Sequence, residues 1–206
     1  MGQDKWFRPG EGDAPKLTGF CGTGVIDMVG QLYKAGFLET NGRFTSPVDF
    51  ERVVIRGEDS RFILFKTSEN ANGNEISLTQ ADVRAVQAAK GALYGGCMLL
   101  MQKAGLEQVD GVMLAAGMGV QMDALSAFDM GLFPAQHPTD AEFVGNAAGY
   151  GALLALLNID ERNAALEFSR IIEYIELSAE ANFNDVCSQG MTFPVSQPGL
   201  TNGFRF

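Results

Sequence analysis

A long helical segment that stops at a glycine and is followed almost at once by a buried strand and a glycine turn constrains this chain most. Thr79, with Asp82 three positions on, forms a near capping box with Asp in place of Glu or Gln. The helix it opens is predicted to be the longest in the chain, ending at Ala104 before Gly105. Its apolar positions are Val83, Val86, Leu93, Cys97, Leu100 and Met101, and its small residues, Ala85, Ala88, Ala89, Gly91 and Ala92, would let another element approach its backbone closely. Val109 to Ala115 is then nearly all apolar, the pattern of a strand covered on both faces, and it runs straight into Gly117-Met118-Gly119. Helix, buried strand and glycine turn in that order demand a sheet flanked by helices. The fold class expected is α/β, with α+β as the alternative.

The remaining segments fit around this unit. Residues 1–17 read as an irregular lead-in. Gly22-Thr23-Gly24 opens a helix of about three turns, with Val25, Ile26, Val29, Leu32 and Tyr33 apolar and Gly36 as its stop. Residues 50–78 change period: Val53-Val54-Ile55, Phe62 to Phe65, and Ile76 with Leu78 read as short strands, joined by turns at Gly57–Ser60 and Asn70–Gly73. Asp123, Asn146 and Asp160 are placed to cap three helices, ending at Gly131, Leu157 and about Tyr174. Residues 196–206 read as a tail. No internal repeat and no long linker divides 18–195, so one unit is expected for a chain of 206 residues.

Composition narrows the function. With 15 Lys+Arg against 25 Asp+Glu, net charge −10, the chain is a poor candidate for nucleic acid or anionic membranes, which need clustered cations. No apolar run of bilayer length is present. The opening Met1–Trp6 carries neither a basic-then-apolar leader nor a myristoylation pattern. Cys21, Cys97 and Cys187 are odd in number and widely spaced, which fits free thiols in a reducing cytoplasm. A single histidine, His137, argues against zinc sites and a His-based triad, so no metal ligand and no catalytic residue is assigned.

Four features could carry chemistry. Ala116-Gly117-Met118-Gly119 follows a strand, where glycine serves either the turn itself or the close approach of a ligand to bare backbone. A dinucleotide fingerprint is absent because Met122 occupies the third glycine's place, and no Walker lysine follows. Cys21-Gly22-Thr23-Gly24 stands at a helix start, where it either holds an anion or permits a tight entry capped by Thr23; Asp27 is read as complementing the dipole. Between Lys103 and Arg162 there is no cation but there are eight acids, so this half would hold a nucleotide by amides and packing rather than by ion pairs. Gln80, Gln87 and Lys90 share the long helix, as a solvated face or as a polar border to a site.

Taken in order, Cys21–Asp27, Gly42-Arg43-Phe44, Leu78–Arg84 with Gln87 and Lys90-Gly91-Ala92, Val112–Gly119 and Phe143–Ala148 resemble a known family. It is the C-terminal domain of the reductive activators of corrinoid proteins, and the likeness covers roughly residues 18–195. The resemblance implies one half of an actin-like ATPase fold, in which nucleotide lies between two lobes. It implies ATP and Mg²⁺ as cofactors. It also implies an iron–sulfur cluster in an N-terminal domain absent from this chain, and an electron driven uphill to return corrinoid Co(II) to Co(I).

On that likeness Ala116-Gly117-Met118-Gly119 matches the adenosine motif, with Ala116 where glycine is usual and Met118 where Phe is usual. Gly22, Thr23 and Gly24 match a G-S-G segment, and Gln80, Gln87 and Lys90 lie on the helix bordering the adenosine pocket. The implied partners are a corrinoid protein or corrinoid methyltransferase, the N-terminal half of the parent protein and a second copy in a homodimer. No aspartate–glycine phosphate hairpin is found, so the chain is expected to be an excised piece or a subunit completed by another polypeptide. Two alternatives stand beside this: an interaction module with a decayed nucleotide site, and a related ATPase activating a dehydratase.

Overall fold

The computed structural model describes residues 17–46, 50–70, 72–115, 123–134 and 141–194. Within them the chain runs α1 (Gly22–Lys34), β1 (Val53–Val54), β2 (Arg61–Phe65), β3 (Ile76–Thr79), α2 (Gln80–Lys103), β4 (Val112–Ala115), α3 (Ala124–Asp129), β5 (Ala141–Gly145), α4 (Ala147–Leu157), α5 (Ile159–Ile171) and α6 (Phe183–Met191). The lead-in up to residue 16, the glycine motif at 116–119, His137 and the tail from 195 lie outside the described residues.

The β-layer expected at 50–78 is an antiparallel sheet of order β1-β2-β3, with Phe62 opposite both Val53 and Leu78. Its last strand passes directly into α2. The capping box forms as read: Thr79 Oγ1 accepts from the Asp82 amide at 3.1 Å while Asp82 Oδ2 accepts from the Thr79 amide at 2.8 Å. A second sheet holds β4 and β5 in parallel, with Leu114 beside Phe143. The core lies between α1, the loop after it, β3, the start of α2 and α3, and contains Val29, Phe37, Leu78, Val83, Met130 and Phe133. Phe37, Phe50 and Phe62 stack there with centroids 5.7–6.0 Å apart.

Three expectations need correcting. Leu93 and Leu100 were expected on the buried side of α2 and are instead exposed. The side that packs is lined by Val83, Gly91, Gly95, Gly96, Leu99 and Met101, and at Gly91 and Gly95 α6 comes too close for any side chain. A Cβ on Gly91 would stand 2.6 Å from the Cys187 carbonyl oxygen, and one on Gly95 would stand 2.7 Å from its Sγ. Ala85, Ala88, Ala89 and Ala92, read with Gly91 as the close-approach stripe, face solvent. Second, β4 is covered on one face only: Val112 and Leu114 pack against the core while Met113 is 76% exposed. Third, α5 is capped by Asn158, whose Oδ1 accepts from the Asp160 amide at 2.9 Å, so Asp160 sits inside the first turn. The sequence reading does not include the strand β5 or the helix α6, which span five and nine residues.

Candidate functional site

The start of α1 is built from small residues. Cys21, not Thr23, is the N-cap: its Sγ accepts from the Gly24 amide at 3.4 Å and lies 3.3 Å from Thr23 Oγ1. The Thr23 hydroxyl and the Gly24 amide hold the Cys21 thiol below its usual pKa, since both stabilise the thiolate. Neither flanking glycine is required by packing. A Cβ on Gly22 would meet nothing within 4 Å, and one on Gly24 would only touch Cys21 Sγ at 3.4 Å. The first amides of a helix have no acceptor within it. Here the Gly24 and Val25 amides are taken by Cys21, through Sγ and through its carbonyl oxygen at 3.0 Å. The Thr23 amide also acts on the Cys21 sulfur.

One face of α1 is tied to α3 by three polar rungs. Asp27 Oδ1 accepts from the Asp123 amide at 2.9 Å, Gln31 Nε2 donates to Ser126 Oγ at 2.7 Å, and Lys34 Nζ pairs with Asp129 at 3.2 Å. Between them Gly30 lets the helices close: a Cβ there would stand 2.8 Å from the Ser126 carbonyl oxygen. Asp27 thus lies in the second turn of α1 and reaches across to α3, where the sequence reading had it in the first turn complementing the dipole. Burial pushes its pKa up, opposed by the Asp123 amide and reinforced by the Asp123 charge. For Asp123 burial also acts upward, but hydrogen bonds from the Ser126 hydroxyl and amide and from the Leu125 amide outweigh it, so its pKa falls. The ladder was legible in principle. Asp27, Gln31 and Lys34 recur at helical spacing, and Asp123, Ser126 and Asp129 repeat their chemistry at three-residue steps.

Asp123 is the first described residue after 116–122, and its amide is held one turn beyond Gly22-Thr23-Gly24. Ala116, Gly117, Met118 and Gly119 themselves lie outside the described residues.

Gln80, Gln87 and Lys90 share a face of α2, as read, but it is not a solvated face. All three are at least 95% buried. Gln80 Nε2 donates to the Gly42 carbonyl at 2.7 Å and its Oε1 accepts from the Phe44 amide at 3.1 Å. Gln87 Nε2 donates to the carbonyl oxygens of Asn41, at 3.2 Å, and Met191, at 2.9 Å. Lys90 Nζ donates to the Gly190 carbonyl and, at 2.8 Å, to that of Thr192, and lies 5.7 Å from the Tyr94 ring centroid and 6.0 Å from that of Phe193. Burial lowers the Lys90 pKa to about 8. These groups bind the fold's own backbone. They fix the 41–44 loop and the segment after α6 onto α2.

The cysteines stand apart in environment: Cys21 is exposed, Cys97 half-buried and Cys187 buried. Among the described residues no three His, Cys, Asp or Glu side chains gather as metal ligands, and no described helix is long and apolar enough to cross a membrane.

Comparison with known proteins gives three findings. The family described as the C-terminal domain of RACo, the ASKHA domain, matches residues 4–203. Corrinoid activation enzyme RamQ of Eubacterium limosum is 33% identical over 174 residues, which is 80% of this chain and 29% of that protein. A solved reductive activator for corrinoid, iron-sulfur protein superposes with a TM-score of 0.75 at 29% identity, covering 84% of this chain and 28% of the other. The chain thus spans less than a third of the length of these relatives. The mixed helix-and-sheet architecture is the actin-like ASKHA fold expected from the sequence.

Proposed function

We infer, for a chain that belongs to the RACo C-terminal ASKHA-domain family, that it is the adenosine-side lobe of an ATP-dependent reductive activator serving a corrinoid protein or corrinoid methyltransferase. When bound with Mg²⁺, ATP supplies the hydrolytic free energy that drives an electron onto corrinoid Co(II) to give Co(I). This lobe holds the nucleotide. The Gly22-Thr23-Gly24 start of α1 and, by resemblance, Ala116-Gly117-Met118-Gly119 border the sugar and base, and the bond between Asp27 and Asp123 holds α1 to the N-cap of α3. Gln80, Gln87 and Lys90 act from behind, by holding the loop and the chain end against α2. With no cation from residue 104 to 161, phosphate charge is met from a companion lobe, and the lobe by itself hydrolyses no ATP. The iron–sulfur cluster belongs to a domain outside this chain, and the assembled activator is a cytoplasmic homodimer.

The observation that carries this reading is the pair of glycines, Gly22 and Gly24, that the fold itself does not require, one turn from the bond between Asp27 and Asp123. Gly22→Val tests it. Because nothing lies within 4 Å of the position, the variant should fold with an unchanged thermal midpoint. Its affinity for ATP in the complete activator, measured by calorimetry, should fall at least tenfold. Unchanged affinity would remove the α1 start from the site, and a complete activator that binds no ATP would end the reading.

A further inference from the structure

The sequence holds three Asn-Gly pairs, at 41–42, 72–73 and 202–203, and the first two stand in opposite circumstances. Asparagine before glycine is chemically vulnerable. With no Cβ to hinder it, the glycine nitrogen reaches the asparagine side-chain carbon and closes a five-membered imide. Both pairs sit in tight turns with the glycine at positive φ, 78° at Gly42 and 69° at Gly73. In both, the glycine amide donates three residues back, to the carbonyl oxygens of Glu39 and Asn70 at 2.8 Å. That bond must open before the nitrogen can attack, so whatever else holds each turn decides which of them reacts.

Asn41 is held at both ends of its amide. Its Nδ2 donates to Glu39 Oε2 at 3.0 Å, its Oδ1 accepts from the Arg43 amide at 2.8 Å, and its carbonyl oxygen accepts from Arg84 and Gln87. Gln87 also fills the space that a Cβ on Gly42 would take. Asn72 and Gly73 are exposed. Among the described residues the Asn72 side chain makes one hydrogen bond, from Nδ2 to the Leu17 carbonyl oxygen at 2.9 Å, and a Cβ on Gly73 would meet nothing within 4 Å.

The partner of Asn72 is shared. Asn70, only 6% exposed, donates through Nδ2 to the carbonyl oxygens of Leu17 and Asn74, each at 3.0 Å, and its Oδ1 accepts from the Asn72 amide at 3.2 Å. Two side-chain amides thus close on one carbonyl and clasp the segment before α1 to the turn before β3.

We propose that Asn72 is a modification site, converted without an enzyme to aspartate or isoaspartate, and that the conversion frees Leu17 from its clasp. The Gly73 nitrogen gives its proton to a solvent base and bonds to Asn72 Cγ. The bond from Cγ to Nδ2 breaks, and that nitrogen takes a proton from water and leaves as ammonia. Water then opens the imide at either carbonyl; one opening gives an ordinary aspartyl residue, the other runs the main chain through the side-chain carbon. Nothing is oxidised or reduced. Both products exchange an amide donor for a carboxylate, which can only oppose the Leu17 carbonyl, acceptor to acceptor. Isoaspartate also adds a carbon to the main chain inside the turn.

The test is incubation of the intact folded chain in mildly alkaline buffer, with peptide mass mapping and separation of aspartyl from isoaspartyl forms. The same chain unfolded in urea is the reference in which neither turn exists. In the folded chain Asn72 should convert roughly tenfold or more ahead of Asn41, the margin that about two additional hydrogen bonds impose on local opening. Asn72→Gln, which would have to close a larger ring, should stay intact. Release of Leu17 is read by trypsin, as the rate of cutting after Lys16 relative to that after Lys103. This ratio should rise severalfold in Asn72→Asp and in the incubated wild type. Conversion of Asn41 before or together with Asn72, or an Asn72 that stays intact for as long as the unfolded chain takes to convert, overturns the site. An unchanged ratio in Asn72→Asp overturns the release.

Discussion

Asp27 accepts the Asp123 amide at 2.9 Å, and that bond joins two stretches separated by 96 positions. It does so at the N-cap of α3, one turn from the glycines that open α1. A carboxylate half-buried beside a second carboxylate is an expensive choice for a hydrogen-bond acceptor, and its raised pKa reflects that cost. Native Asp27 holds its proton more tightly than the unfolded chain does. Between the ordinary aspartate value and its raised one, its contribution therefore favours folding as pH falls and is lost as pH rises. Asp27→Asn keeps an acceptor and removes the charge, so it should flatten this part of the acid stability profile while leaving the midpoint at pH 7 equal or higher. Asp27→Ala removes the acceptor and should cost about 1 kcal/mol in urea unfolding.

The close helix contacts make a second, opposite pair of predictions. Alanine ordinarily gains up to about 1 kcal/mol over glycine within a helix. At Gly95 the added methyl would meet Cys187 Sγ at 2.7 Å and its Cα at 3.1 Å, and overpacking of this kind costs about 1–3 kcal/mol. Gly95→Ala should therefore lower stability, and Gly30→Ala should do so more, since its methyl meets Ser126 main chain at 2.8 Å. Gly22→Ala, which meets nothing within 4 Å, should be neutral or stabilising. Equal denaturation midpoints for the three would show that the α1–α3 and α2–α6 contacts are looser than described.

Local chemistry was legible and long-range pairing was not. The capping box at Thr79–Asp82, the stop at Gly36, the strands at Val53, Phe62 and Ile76 and the caps at Asp123 and Asn146 each depend on residues within a few positions, and each stands where the sequence placed it. The destination of Gln80, Gln87 and Lys90 depends on the 41–44 loop and on the segment after α6, up to 104 positions away. Nothing in a helical polar stripe says whether water or a buried main-chain oxygen will meet it. The bare face of β4 had a different cause. An all-apolar strand is written for two covered faces, and among the described residues Met113 stands uncovered on one of them.

Cys21 should be the reactive thiol. It is exposed, caps α1 and has its pKa lowered first by the Thr23 hydroxyl and then by the Gly24 amide. Cys97 is half-buried with its pKa raised by burial, and Cys187 is buried. Alkylation by iodoacetamide at pH 7.5 (a value within the ~7–8 range where a lowered thiol is distinguished from an ordinary one near ~8.5), followed by peptide mass mapping, should label Cys21 first. Thr23→Ala should slow that labelling severalfold by removing the hydrogen bond to sulfur. Faster labelling of Cys97 than of Cys21 would contradict the capping geometry.

Lys90 offers a test at the alkaline end. Its ammonium is satisfied by the Gly190 and Thr192 carbonyls and by the faces of Tyr94 and Phe193, with no carboxylate among these partners. Burial takes its pKa down to about 8, against 10.5 for an ordinary lysine. Between those values the unfolded chain binds more protons than the native one, so the contribution of Lys90 to stability increases as pH rises through this window. Lys90→Met keeps the apolar stem but leaves two carbonyls without their donor, at about 1–3 kcal/mol each, so the variant should be less stable at pH 7. The gap between wild type and variant should widen from pH 8 to 10, because only the wild type sheds a buried charge. A gap that stays constant across that range in urea unfolding would mean that water reaches the ammonium and that the segment after α6 is not sealed onto α2.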